Sequence, residues 1–215
     1  MGKYKIGCGS KILNKKSCVI DKGVVIGRNV LIYGNNHILG NTIIGDNTII
    51  MPNNYIINSK VGDDCIINNS VIEDSKIHNL VHIGPFSRIR PNSEIESGCK
   101  IGNFVEIKNS KLGKGTKACH LAYVGDAEIG EKCNIGCGVI FANYNGKEKN
   151  KIIVGNNCFI GSNSNLIAPI EIGNNCYVCA GSNITRDLKE YDFAIGRVRQ
   201  EVKPNRAIKY LKTIY

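Results

Sequence analysis

The sequence predicts an all-β protein built as a parallel β-helix, on three observations. An aliphatic residue returns every six positions, the residue four places further on is small, and glycine and asparagine fill the steps between. The aliphatic ladder runs unbroken from Ile20 to Ile56, resumes after five-residue steps at Val61, Ile72, Ile77, Leu112 and Ile129, and continues after an insertion from Val154 to Ile184. Neither a helix of 3.6 residues per turn nor one long alternating strand yields a strict period of six. Three short strands per coil do, each ladder residue pointing inward from one flat face.

The small positions include Thr48, Cys65, Ser87, Cys99, Thr116, Cys133, Cys158, Ser164 and Cys176, which fits a corner-filling role. Five of the ten cysteines (Cys65, Cys99, Cys133, Cys158 and Cys176) therefore occupy places that call for a small, buried, weakly polar side chain, and are read as reduced packing thiols. No CxxC pair occurs that would suggest a metal site. Glycine often follows the ladder residue, as in Ile26-Gly27, Ile83-Gly84 and Ile135-Gly136, and asparagine is common nearby, because tight corners need left-handed backbone. From residue 20 to 184 the repeat makes about nine coils of 18 residues, a prism roughly 43 Å long at ~4.8 Å per coil.

At 215 residues the chain suits one domain with a small appendage. The expected division is a β-helix over 1–185, carrying a polar projecting loop at 143–153, and a basic arm over 186–215. In the arm's last stretch Ala207, Ile208, Leu211 and Ile214 have weak helical spacing. With 42% hydrophobic residues, 7% aromatic and no Trp, the core is one of aliphatic and small residues, and disorder is excluded. No apolar run reaches the length of a membrane span and the first residues lack a signal-peptide core, so the expectation is a cytoplasmic protein. The net charge of +10 points to a partner bearing phosphate.

Specific chemistry enters through seven segments: GPFSRIRP (84–91), GNFVEIK (102–108), HLAYVGDAEIG (120–130), NIGCG (134–138), NYNGKEK (143–149), FIGSN (159–163) and AGSNITRD (180–187). Together they resemble the acetyltransferase domain at the C-terminal end of the bifunctional N-acetylglucosamine-1-phosphate uridylyltransferase / glucosamine-1-phosphate N-acetyltransferase family. Hexapeptides alone are shared by many acyltransferases, whereas HLAYVGD and NYNG depart from the repeat and are far more specific. The resemblance spans residues 15–200 and is strongest over 84–199. It implies left-handed coils and a homotrimer whose sites lie between subunits.

The reaction it implies is transfer of acetyl from acetyl-CoA to the 2-amino group of glucosamine-1-phosphate. An ammonium cannot attack a thioester, so a base near neutral pH is needed, and His120 of HLAYVGD is the candidate. His37, His78 and His82 match no catalytic position, and Glu106 resembles a carboxylate near the base. By resemblance Arg90 and Lys108 bind the phosphate, a role that suits guanidinium and ammonium groups, with Tyr123, Asn134 and Lys149 around the sugar. Cys137, Asn143, Tyr144, Ser162, Ala180 and Arg197 match positions that line the CoA channel. A backbone N–H in the turn 134–138 is the expected oxyanion donor. Covalent acetyl transfer through Cys137 is the lesser reading, because the family has alanine there and direct transfer needs no nucleophile.

Three departures stand out. There is no Gly-rich nucleotide loop of the LAAGxGTRM type, so neither uridylyl transfer nor its Mg²⁺ is expected. Cys119 and Cys137 replace Gly and Ala, and the tail after Gln200 matches poorly. The tail resembles the segment that closes the site, and its charge serves solubility equally well. Other readings are an acceptor such as a nucleotide-linked amino sugar or serine, a structural β-helix, or a zinc enzyme of this fold. The last fails because His78 and His82, four apart, would not stack on one edge. No metal, nucleic acid or membrane partner is expected, the basic residues lacking interleaved aromatics.

Overall fold

Strands of two to four residues are the consequence of the six-residue period, since each ladder residue and its predecessor are all that a flat face can hold between corners. The computed structural model describes residues 4–211. Its strands form three parallel sheets of ten, eleven and ten strands, and consecutive strands of the chain pass from one sheet to the next. The first face begins with Lys5–Ile6, the second with Lys11–Ile12 and the third with Val19–Ile20. This is the left-handed parallel β-helix of hexapeptide repeats that the sequence led us to expect. It has about eleven coils rather than nine. The additional coils come from both ends. Ile6 and Ile12 precede the recognised ladder, from which the extra residues of a 3₁₀ turn at Lys15–Ser17 separate them.

Every ladder residue from Ile26 to Ile184 is buried, and Ile20 is half-buried. Removing an aliphatic side chain of that size from water contributes about 1.5–3 kcal/mol, so the column is the main source of stability. Five-residue steps shorten a coil without breaking it, because Val61 still pairs with Ile77 and Ile72 with Ile89. The small corner residues are buried too, and their polar atoms join one coil to the next. The Thr48 hydroxyl donates to the Gly62 carbonyl at 2.8 Å and accepts from the Cys65 N–H at 3.0 Å. The Cys65 thiol donates to the His78 carbonyl at 3.0 Å. Cys99, Cys133, Cys158 and Cys176 donate likewise to Gly113, Gly155, Gly173 and Lys189. Burial pushes the thiols of Cys65 and Cys99 up to about 11.

Two expected boundaries shift. The projecting loop ends at Lys151 rather than residue 153, because Ile152 is buried in the strand Ile152–Val154, paired with Ala127. Strand Phe193–Ala194 lies within the 186–215 arm yet extends the second face, Phe193 pairing with Tyr177 and stacking on its ring at 5.2 Å. Beyond it, Arg206–Lys209 forms a 3₁₀ turn, and Ile214 lies outside the described residues. Among the described residues no helix is long and apolar enough to cross a membrane.

All ten thiols are free. A thiol reagent applied to the native protein is expected to modify exposed Cys8 first and the partly exposed Cys18, Cys119 and Cys137 more slowly. Cys65, Cys99, Cys133, Cys158, Cys176 and Cys179 should react only after denaturant is added, as counted by mass spectrometry.

Candidate active site

Because equivalent residues stack from coil to coil, positions far apart in sequence become neighbours in a column. His120 ends the strand Lys117–His120 on the second face, at the edge shared with the third. It stands two residues after its ladder residue, Ala118, as do Asn103, Cys137, Ser162 and Ala180 in their coils. Asn103 is in register with His120, the Cys137 carbonyl accepts from the Asn163 N–H at 2.7 Å, and that of Ser162 accepts from Gly181 at 2.8 Å. The expected base and three residues expected to line the CoA channel thus form one corner column, with Arg197 beside Gly181 at its upper end. His120 is exposed, and its Nδ1 lies 2.8 Å from Asn103 Oδ1.

The opposite edge of the third face carries the cations. Arg90, Lys108, Asp126 and Lys149 line a cleft of about 870 Å³ between the third and first faces. Arg90 is held by Glu106, guanidinium to carboxylate at 2.8 Å, and that hydrogen bond raises its pKa further. Lys108 Nζ lies 3.2 Å from Asp126. Asp126 also accepts from Asn109 Nδ2 at 2.6 Å and from the Asn143 amide. Burial would raise the Asp126 carboxyl, but the bonds from Asn109, Asn143 and Lys108 outweigh it and leave the pKa lowered. Burial also opposes the charge on Lys108, yet contact with Lys149 and the Asp126 carboxylate leaves its pKa raised. Lys149, facing the Lys108 ammonium, is lowered in turn.

Between the two edges lie Glu106 and Tyr123, paired in register on adjacent strands, with the Tyr123 hydroxyl over Gly125. Lys108 is five positions after Asn103, so the edges are no more than about 17 Å apart along the chain. Imidazole, guanidinium and ammonium groups each reach several ångström back over such a face.

One chain does not bring all the expected residues together. Asn134 points outward on the second face, in register between Lys117 and Phe159. Asn143 sits with Lys108 and Asp126 rather than in the Cys137–Ala180 column. Tyr144 is exposed in the loop, its hydroxyl donating to the Gly146 carbonyl at 2.8 Å. Glu106 is engaged by Arg90, and the described partner of the His120 ring is Asn103 instead. Asn103 and Asp126, which lie within the GNFVEIK and HLAYVGDAEIG segments but carry no expected role, are the groups that His120 and Lys108 contact.

A second cluster borders the cleft. His78, Glu94 and Glu96 offer ligand atoms within 4.8 Å of one another, a spacing that suits a metal ion. Their charge is already answered by lysine: Lys76 lies 2.9 Å from Glu94 and Lys111 lies 3.2 Å from Glu96. His82 is on the outer second face, away from His78.

The family described as bacterial transferase hexapeptide (six repeats) matches residues 23–58 and 74–109, and that described as hexapeptide repeat of succinyl-transferase matches 151–186. The chain belongs to the hexapeptide-repeat family. Curated relatives of this hexapeptide-repeat protein include the "Bifunctional protein GlmU" of Caldicellulosiruptor saccharolyticus, 54% identical over 150 residues, covering 70% of this chain and 32% of the relative. The protein of the same name from Acetivibrio thermocellus is 47% identical over 154 residues, covering 72% and 33%. The chain thus spans about a third of the length of these relatives. They bear out the resemblance read from the seven segments. Among solved structures, LpxA, a UDP-N-acetylglucosamine acyltransferase from Bacteroides fragilis, aligns with a TM-score of 0.59 at 21% identity, over 84% of this chain and 70% of that one, which is a likeness of fold.

Lys76 and then His78 are the largest influences holding the Glu94 carboxyl at about 2, below its ordinary 4.5. A lowered folded-state pKa gives stability that is present above the ordinary value and lost as pH falls through the folded one. Wild type should therefore lose stability from about pH 4.5 toward 2 through this group, and Glu94→Gln should show a shallower acid-side decline in denaturant titrations. Solvent screening keeps the effect to roughly 1 kcal/mol.

Proposed function

We propose that this protein is an acetyltransferase that moves acetyl from acetyl-CoA to the 2-amino group of glucosamine-1-phosphate. The observation that carries the reading is the placement of His120 on one edge of the third face and of Arg90 and Lys108 on the other, in a chain whose relatives are named bifunctional GlmU proteins. A phosphate held at the cationic edge leaves the adjacent amine to point across Tyr123 toward the imidazole. Lys149, at the root of the loop, adds charge on the phosphate side.

In this mechanism the acceptor ammonium gives up one proton to water, and His120 takes a second from the nitrogen as its lone pair forms a C–N bond with the thioester carbonyl. The carbonyl electrons move onto oxygen, where a backbone N–H of the turn 134–138 stabilises them. They return as the C–S bond breaks, and the imidazolium protonates the departing CoA thiolate. Cys137, Ser162 and Ala180, all small, leave a track along the corner for pantetheine, and Arg197 stands where a CoA phosphate would end. The thiol of Cys137 is not required in this scheme.

A single prism offers no deep enclosure, and the reading includes a homotrimer with sites between subunits. Phe86, Phe104 and Leu121 support this. They run up the same corner as His120, are 53%, 56% and 55% exposed, and hold φ values of 60°, 58° and 48°. Left-handed backbone at a large side chain costs about 1 kcal/mol or more, so three such apolar groups beside the base suit a surface that a neighbouring subunit covers. Asn134 would then serve a neighbour's site. No uridylyl transfer is assigned to this chain, and the reaction is placed in the cytoplasm.

The test is CoA-thiol release from acetyl-CoA with glucosamine-1-phosphate. His120→Ala is expected to lower turnover at least about 100-fold, and an unaffected variant overturns the base assignment. Arg90→Ala is expected to raise the KM for the sugar phosphate more than that for acetyl-CoA. The reverse ordering would move Arg90 to the CoA side.

A further inference from the structure

We propose that Asn103 is a positioning residue for His120, fixing which ring nitrogen carries the proton. This rests on the reading of His120 as the base and adds the group that prepares it. Asn103 Oδ1 and His120 Nδ1 are 2.8 Å apart, a hydrogen-bonding distance in which the amide oxygen accepts and Nδ1–H donates. With the proton on Nδ1, the lone pair is left on Nε2, the nitrogen at the far end of the ring and the one free to accept a proton from an amine.

The contact is built into the coil. Asn103 and His120 occupy the same corner position on successive coils and are paired in register, so the side chains leave the prism side by side. Gly102 makes that closeness feasible. A Cβ there would lie 1.9 Å from the Cys119 carbonyl oxygen, and any other residue would push the two strands apart just before the pair.

The partner's chemistry matters as much as its place. Glu106, the carboxylate that the resemblance suggested, is turned to Arg90 at 2.8 Å. A carboxylate against Nδ1–H would stabilise the imidazolium and make it slower to release its proton. A neutral amide orients the ring without that attraction, which suits a group that must collect a proton from the amine and then surrender it to the thiolate.

The experiment is nitrogen NMR of the histidine-labelled protein at a pH where the ring is neutral, with the His120 signals identified by their absence in His120→Ala. Wild type is expected to show His120 protonated at Nδ1. Asn103→Ala is expected to lose that form, and Asn103→Asp, which keeps an oxygen acceptor, to retain it. Turnover of Asn103→Ala should fall about tenfold or more with both KM values within about twofold, as for loss of an orienting group rather than a binding one. Protonation at Nε2 in wild type, an unchanged tautomer in Asn103→Ala, or full turnover in that variant each overturns the proposal. Full activity of His120→Ala would instead overturn the reading of His120 as the base while leaving the tautomer result standing, so the two failures are distinguishable.

Discussion

The structure depends on the parallel register between one coil and the next. Each coil must return the chain to the same position one strand spacing higher, so that its N–H groups meet the carbonyls of its neighbour and its ladder residue lands on the last one. That requirement limits the faces to two to four residues, selects isoleucine and valine for the interior, and leaves most of the left-handed corner positions to asparagine, aspartate and glycine. It also turns sequence spacing into geometry. Once the register is set, any residue at a given offset from its ladder position stands in a vertical file with its equivalents, and a site can be assembled from one such file.

The residues of the proposed site follow that logic. The corner holding Asn103, His120, Cys137, Ser162 and Ala180 is a single file at one offset, whereas Arg90, Lys108 and Asp126 cluster at the other edge of the third face. The NYNG insertion adds what the repeat cannot, because a polar excursion breaks the file and lays Asn143 against Asp126 and Lys149 against Lys108. The proposed chemistry is therefore concentrated where regular files meet an irregularity.

Much of this was legible in the sequence because the period of six reports burial directly: every ladder residue from Ile26 onward is in the core, and the five corner cysteines are buried donors. The seven segments likewise contain His120, Arg90, Lys108 and Lys149, which the coils set at the two edges of the third face. What escaped was contact between coils. Outside the 3₁₀ turn at Lys15–Ser17 and the projecting loop, coil length varies between 16 and 18 residues because of the five-residue steps, so the partner of a side chain cannot be counted off from a constant period; Asn103 meets His120 at a separation of 17. Glu106 was assigned near the base on resemblance, but a long side chain at a strand surface takes the strongest opposite charge within reach, and Arg90 supplies it. Strand Phe193–Ala194 was missed because the step from Ile184 to Leu188 is four residues rather than six, which breaks the period before Leu188, opposite Ile172, and Ala194, opposite Val178, resume it.

The coils below Gly84 bear no part of the proposed chemistry, yet each is joined to the next by the same ladder of bonds. Since a coil touches only the ones directly above and below, inserting or deleting a whole turn there would raise or lower His120 by one step of ~4.8 Å while leaving its facing unchanged. The lower half of the column is in effect a ruler, and the height at which the reactive corner stands above the chain's first strand is a quantity that evolution can adjust in whole units without retuning the chemistry.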